Sequence, residues 1–280
     1  MKSLKDPYIL QNGVGIPCIG FGTWQTPDGE TAVSAVSEAL KAGYRHIDTA
    51  FYYHNEKSIG KAVHESGIDR KELFITSKLW NEDRGYDKAL RAFDKTMDNL
   101  GLEYLDLYLI HWPAAKGNWQ QVNTETWNAF ERLYNERRIR SIGVSNFKVH
   151  HLEKLMEKST VVPMVNQIEF HPGFMQTEIL QFCREHSILI EAWSPLGSGK
   201  VLSDEQLGEI AARYGKSVAQ LCIKWCLQHQ TLPLPKSVTP ERIRQNADVF
   251  DFDISAEDMK KIDGLPYIGG SGLDPDKVNF

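Results

Sequence analysis

Hydrophobic and polar positions along this chain switch repeatedly between two periods. Short apolar runs bounded by glycine, proline or charge predict buried strands. Between them, apolar residues recur at spacings of three and four, which predicts helices. The first strand is expected near Cys18–Gly22, then a helix within Glu30–Ala42, where Ala32, Val33, Val36, Ala39 and Leu40 share a face. Tyr44–Asp48, Leu73–Lys78 and Leu105–His111 predict strands two to four, each followed by a helix: Glu56–Glu65, Asp87–Leu100 and Thr124–Arg138. Ile139–Val144, Met164–Ile168, Ile188–Trp193 and Leu232–Pro235 predict strands five to eight. Their helices are expected over Val149–Lys158, Gln176–His186, Asp204–Tyr214, Val218–Gln230, Pro240–Ala247 and Ala256–Asp263.

Eight strand–helix pairs with strands apolar on both faces predict an α/β fold, a parallel (β/α)8 TIM barrel. An open doubly wound sheet is the competing arrangement. Ahead of the barrel, Tyr8–Pro17 carries an Asn12-Gly13 turn between apolar residues, the mark of a β-hairpin, expected to plug the N-terminal end. The final helices are expected as C-terminal additions.

Length supports one domain over residues 1–280, since such barrels run to about 250 residues. A net charge of −5 lacks the basic stripe that nucleic acid requires. No apolar run approaches the roughly 20 residues that span a bilayer. The opening Met1–Pro7 has no apolar signal-peptide core. Cys18, Cys183, Cys222 and Cys226 show neither CxxC nor zinc-ligand spacing, so no metal is expected. These features predict a soluble protein of the reducing cytoplasm.

In a barrel the working face lies at the C-terminal ends of the strands. Asp48, Lys78 and His111 close strands two, three and four, and Tyr53 follows Asp48 in the next turn. A single Asp or Lys at a strand end is more often a solvated loop residue, and a lone His reads as a satisfied buried histidine; four complementary groups from successive strands point to chemistry. Three long motifs then resemble the aldo-keto reductase family over nearly the whole chain. They are Gly43–Ala50, Gly101–Pro113, and Pro235-Lys236-Ser237-Val238-Thr239 with Arg242. The similarity is greatest to the short-looped microbial group that includes glyoxal and 2,5-diketo-gluconate reductases.

Reducing a carbonyl needs hydride at carbon and a proton at oxygen. A tyrosine with an ordinary pKa of about 10 releases its proton reluctantly. An ammonium about 4 Å away is worth about 4 kcal/mol at an effective dielectric of about 20, so Lys78 is expected to lower the phenol pKa, with burial opposing. Asp48 would keep Lys78 charged, and His111 would hydrogen-bond the substrate oxygen. The family assigns the same roles to the matching positions. Either Tyr52 or Tyr53 is able to face inward; the resemblance selects Tyr53, five residues after the aspartate, as general acid and leaves Tyr52 to packing or the surface. His46 and His54 lie nearby without an assigned role.

Two apparent nucleotide motifs fail. Gly20–Gln25 begins GxGxx but does not complete the fingerprint. Gly197-Ser198-Gly199-Lys200 lacks the first glycine and the final Ser/Thr of a phosphate loop. The cofactor is expected instead over the later strand ends, joined by Gly22, Thr23 and Trp24 after strand one. Ser145, Asn146 and Gln167 offer donors and acceptors for a carboxamide, and Trp193 a ring for the nicotinamide. Ser194, Leu196, Gly197 and Ser198 form a loop suited to a pyrophosphate. Lys236, Ser237, Val238, Thr239 and Arg242 surround a helix start that suits a 2′-phosphate, so NADPH is expected over NADH. Gln245 and Asn246 are placed to meet the adenine, although the family often has Glu at the first of these.

Trp24, Trp80 and Trp112 follow strand ends and, with His111, are expected to line the substrate site. The short Trp112–Val122 loop and the glycine-rich tail predict small polar carbonyl substrates over steroids. A non-catalytic NADPH-binding sensor or scaffold and a cofactor-free isomerase are the alternatives. The resemblance implies a monomer.

Overall fold

The structure, a computed structural model, describes residues 1–114 and 116–278. β1 (Pro7–Ile9) and β2 (Gly15–Pro17) pair antiparallel as the expected hairpin. Eight parallel strands come next: β3 (Gly20–Gly22), β4 (His46–Asp48), β5 (Phe74–Leu79), β6 (Leu105–Ile110), β7 (Ile139–Ser145), β8 (Val165–Glu169), β9 (Leu189–Trp193) and β10 (Leu232–Leu234). They neighbour one another in chain order, and the first and last meet where the Gly22 N–H donates to the Pro235 carbonyl at 3.1 Å. A Cβ on Gly20 would lie 2.4 Å from Leu234 Cδ2 and 2.6 Å from His46 Nδ1, so glycine there lets the seam close. The expected (β/α)8 barrel is the fold.

The helices around it are α1 (Glu30–Lys41), α2 (Glu56–Glu65), α3 (Tyr86–Leu100), α4 (Trp119–Asn135), α5 (Val149–Met156), α6 (Thr177–Glu185), α7 (Glu205–Arg213), α8 (Val218–Gln228), α9 (Pro240–Ala247) and α10 (Ala256–Asp263). Most match expectation within a residue or two. The exception is α4, which begins at Trp119 rather than Thr124. Its first turn centres on Gln120 and Gln121 and carries no core periodicity, so the pattern could not mark it. It stops at Asn135 because Arg137 turns left-handed at φ 59°.

Alternate strand residues point into the barrel or out toward the helices, and both sides are buried. Outward Ile47, Ile75, Tyr108, Ile110 and Ile142 pack beneath the helices. Inward Phe74, Leu107, Leu109, Val165, Leu232 and Leu234 fill the lower barrel together with Leu10 and Ile16 of the hairpin. Ile16 is fully buried, and burying such a side chain contributes about 1.5–3 kcal/mol. Asn12 Nδ2 donates to the Arg140 carbonyl and Gln11 Nε2 to the Ser187 carbonyl, both at 2.9 Å and both at strand N-terminal ends. The hairpin therefore closes the bottom, leaving the C-terminal face for the site. No helix among the described residues is long and apolar enough to cross a membrane.

Candidate active site

The Phe51–Tyr53 turn after β4 brings the Tyr53 phenol back to Lys78 of β5. Asn55 fastens this turn: its Nδ2 donates to the Thr23 and Thr26 carbonyls at 3.0 and 3.1 Å, and its Oδ1 accepts from Thr49 Oγ1 at 2.8 Å. Lys78 points inward from β5 and is fully buried. Its ammonium has three protons and three acceptors: Asp48 Oδ1 at 2.7 Å, the Thr49 carbonyl at 2.9 Å and the Tyr53 hydroxyl at 3.3 Å. The His111 ring stands edge-on to Tyr53 with centroids 5.7 Å apart. The four residues predicted as a set are thus brought together, and the phenol within reach of Lys78 is Tyr53.

One electrostatic expectation is corrected. Burial raises the Tyr53 pKa by more than the Lys78 charge and hydrogen bond lower it, and Asp48 adds to the rise, so the net shift is upward. The phenol is therefore firmly protonated at neutral pH. Burial opposes the charge on Lys78, but Asp48 and Tyr53 together hold its pKa above the ordinary value. Burial, with the charges of Lys78 and Arg84, holds His111 well below the usual imidazole range, so it is neutral.

Sequence reasoning missed a polar layer beneath the tetrad. Gln167 Nε2 donates to Asp48 Oδ2 at 2.9 Å and to Glu191 Oε2 at 2.7 Å. His46 lies beside Glu191 and shares a 3.0 Å hydrogen bond with Thr76 Oγ1. The available signal was period two: His46, Thr76 and Glu191 each stand two residues before Asp48, Lys78 and Trp193, and so face the same interior.

The residues assigned to the cofactor cap strand ends around the tetrad. Asn146 sits left-handed at φ 64°. Its Nδ2 donates to the His111 carbonyl at 2.9 Å, while its Oδ1 accepts from Trp193 Nε1 at 2.8 Å, which fixes the indole. Ser145 Oγ donates to the Gln167 carbonyl at 2.8 Å. Thr23 is spent internally, its hydroxyl donating to the Asp48 carbonyl at 2.9 Å, and Gly22 lies against the β10 seam. In the loop after β9, Ser194, Gly197, Ser198 and Gly199 have positive φ. The N–H groups of Gly197 and Gly199 are used within that loop, on the Ser194 and Leu196 carbonyls. Thr239 is the N-cap of α9, Arg242 is exposed on its first turn, and Ser237 Oγ accepts from the Thr239 N–H at 3.0 Å. Lys236 is half-buried with its ammonium on the Gln25 carbonyl at 3.2 Å. Val238 and Gln245 are exposed and Asn246 is buried. The chemistry of this donor set fits a phosphorylated dinucleotide: amide groups near the tetrad, and two cations at an accessible helix start.

The face expected to meet the substrate is aromatic. Tyr52 stacks on Trp80 with centroids 3.6 Å apart and on Trp24 at 5.8 Å; Trp80 stands edge-on to His111 at 5.3 Å. Trp24 also lies 4.8 Å from Tyr53. Tyr52 is therefore no isolated surface residue but the middle of this wall, because Trp24 and Trp80 arrive on either side of it from other strands. Trp112 is buried, and Arg84 holds its carbonyl at 3.1 Å.

Outside the tetrad, His150 and His151 both aim Nε2 at Asp276 Oδ1, at 3.1 and 3.3 Å. The Lys148 backbone N–H donates to His151 Nδ1 at 3.2 Å, which leaves the ring proton on Nε2, and the Lys148 ammonium also pairs with Asp276. That arrangement is a hydrogen-bonded ion cluster.

The chain matches the aldo/keto reductase family over residues 18–266. It is 50% identical over 278 residues to glyoxal reductase of Bacillus subtilis (strain 168), covering 99% of both chains. It is 40% identical to methylglyoxal reductase DkgA of Escherichia coli (strain K12), covering 96% of both. Its structure superposes on that of a Gox0644 variant in complex with NADPH with a TM-score of 0.90, at 43% identity and 99% coverage of both chains. With its barrel, its three motifs and full-length relatives of this kind, the chain belongs to the aldo/keto reductase family.

Proposed function

We propose that the protein is an NADPH-dependent reductase that converts small aldehydes, dicarbonyls or keto-sugars to alcohols, with Tyr53 as general acid. The observation that carries this reading is the Lys78 ammonium shared between Asp48 and the Tyr53 hydroxyl. Bound NADPH would supply the hydride to the carbonyl carbon. Ser145, Asn146, Gln167 and Trp193 would hold its nicotinamide end, and Lys236 and Arg242 its 2′-phosphate.

The chain's own residues manage the proton. Tyr53 holds it until the carbonyl oxygen gains negative charge, then donates it. The phenolate left behind is stabilised by Lys78, whose charge Asp48 retains. Neutral His111 hydrogen-bonds the carbonyl oxygen and orients it without competing as an acid. Small electrophilic carbonyls suit a site walled by Trp24, Tyr52 and Trp80 between short loops, and the glyoxal and methylglyoxal reductase relatives support the same class. A general acid is worth about 10²–10⁴ in rate, so Tyr53→Phe should retain NADPH binding and slow methylglyoxal reduction by about that factor. Activity within a factor of about two of the parent would remove Tyr53 from the role. NADPH binding without turnover across a panel of aldehydes, dicarbonyls, keto-sugars and steroids would replace the reductase by a sensor, and a panel ranking steroids first would overturn the substrate class.

A further inference from the structure

Proton transfer from Tyr53 does not use Glu191, a carboxyl buried completely in the barrel interior on β9. Its Oε2 accepts from Gln167 Nε2 at 2.7 Å, and the same nitrogen donates to Asp48 Oδ2 at 2.9 Å. A side-chain amide nitrogen has two protons, so both are committed. The amide is thereby held with its nitrogen toward two carboxyl groups and Oε1, its remaining acceptor, turned away from them. Without Glu191 one N–H loses its acceptor, and the preference for this orientation over the flipped one falls to the Asp48 contact alone.

We propose that Glu191 is a positioning residue for carbonyl reduction. Through the shared Gln167 amide it fixes the acceptor presented to the carboxamide of NADPH and braces Asp48 against Lys78. The inference rests on the NADPH reading and adds a residue that touches neither substrate nor cofactor.

The groups facing Glu191 are Asp48 and His46 from β4, Lys78 from β5 and Gln167 from β8. Glu191 Oε1 lies 3.9 Å from His46 Nε2 and has no hydrogen-bond partner among the described residues. Burial, and secondarily the Asp48 charge, push the Glu191 carboxyl up to about 8. Burial and the Lys78 charge hold His46 down to about 3. Near neutrality the layer therefore holds a single ion pair, Asp48 and Lys78, with Glu191 uncharged. A neutral acceptor suffices for the Gln167 amide, so Glu191→Gln should preserve the positioning while abolishing the ionisation. In the parent, ionisation above about pH 8 places a second negative charge on the Gln167 amide and beside Asp48.

The test is NADPH affinity by fluorescence titration as a function of pH, together with the steady-state kcat and KM for methylglyoxal. Glu191→Leu should weaken NADPH about tenfold, the worth of one buried hydrogen bond. Gln167→Leu, which also removes the acceptor itself, should weaken NADPH at least as much, and the double variant should lose no more than Gln167→Leu alone, because Glu191 acts only through that amide. Glu191→Gln should bind within about twofold of the parent near pH 7 and lose the parent's change in affinity near pH 8. Unchanged affinity in a folded Glu191→Leu, or losses that multiply in the double variant, overturn the proposal. If Glu191→Leu does not fold, a Glu191→Gln pH profile equal to the parent's overturns it, and loss of a bend that the parent shows supports it. A parent that fails to bind NADPH removes the cofactor reading as well, whereas a parent that binds and turns over beside indifferent Glu191 variants removes only this inference.

Discussion

Replacing Lys78 by methionine tests whether one buried ammonium serves both stability and proton transfer. The Nζ atom lies 3.3 Å from the Tyr53 oxygen. At an effective dielectric of about 20, a unit charge at that distance stabilises a phenolate by about 5 kcal/mol, before burial and Asp48 offset part of it. Even half of that, felt in the transition state, is worth about a hundredfold in rate. The second effect is structural. Lys78→Met leaves the Asp48 carboxylate buried with Gln167 as its side-chain donor, and removing one partner of a buried pair costs about 3–5 kcal/mol. At roughly 2–4 °C per kcal/mol for a large domain, Tm should fall by about 6–20 °C. Converting both members, Asp48→Asn with Lys78→Met, removes the unpaired charge and should return most of the stability. Activity should stay at least about a hundredfold down, because the phenol has no cation beside it. Urea unfolding read beside NADPH consumption with methylglyoxal separates the two effects. A single variant as stable as the parent, or a double variant that recovers activity with its stability, would refute the shared role.

Arg242→Ala should weaken NADPH by roughly 10–150-fold, the worth of a charged hydrogen bond, while changing NADH little; equal losses in titration would exclude a 2′-phosphate contact. Stability against pH should report Glu191. Its folded pKa, about 8, lies above the unfolded value of about 4.3, so the native state binds a proton that the unfolded chain has released, and stability is lost as pH rises through that window. Glu191→Gln should therefore gain on the parent by up to about 1.4 kcal/mol per pH unit between roughly pH 5 and 8, and parallel stability curves would place the ionisation elsewhere. Tyr52→Ala removes the ring stacked on Trp80 at 3.6 Å. Because an aromatic pair is worth about 0.5–1.5 kcal/mol, it should raise KM for benzaldehyde by about 2–10-fold and for methylglyoxal by less; equal changes would remove the wall from substrate binding.

The sequence by itself carried the barrel, because an inward and an outward apolar face leave a mark on every strand and the three-and-four spacing marks each connecting helix. It also carried Asp48, Lys78 and His111, since a polar residue closing an apolar run at the end of a barrel strand falls on the working face. Tyr53 was different. Tyr52 and Tyr53 are equivalent to any periodicity, and only resemblance chose between them; in the fold, the Phe51–Tyr53 turn and the Asn55 brace bring one phenol to Lys78 and send the other to Trp80. Tertiary structure also decided the sign of the Tyr53 shift, because desolvation depends on everything packed around the phenol while the Lys78 charge is a single contact. Glu191 shows the same division. Its place two residues before Trp193 is legible as inward-facing, yet its neutral state and its share of the Gln167 amide exist only once β4, β8 and β9 surround one buried space. A strand pattern records which face a side chain takes; it does not record which strand's residue lies opposite, and that proximity sets the charge.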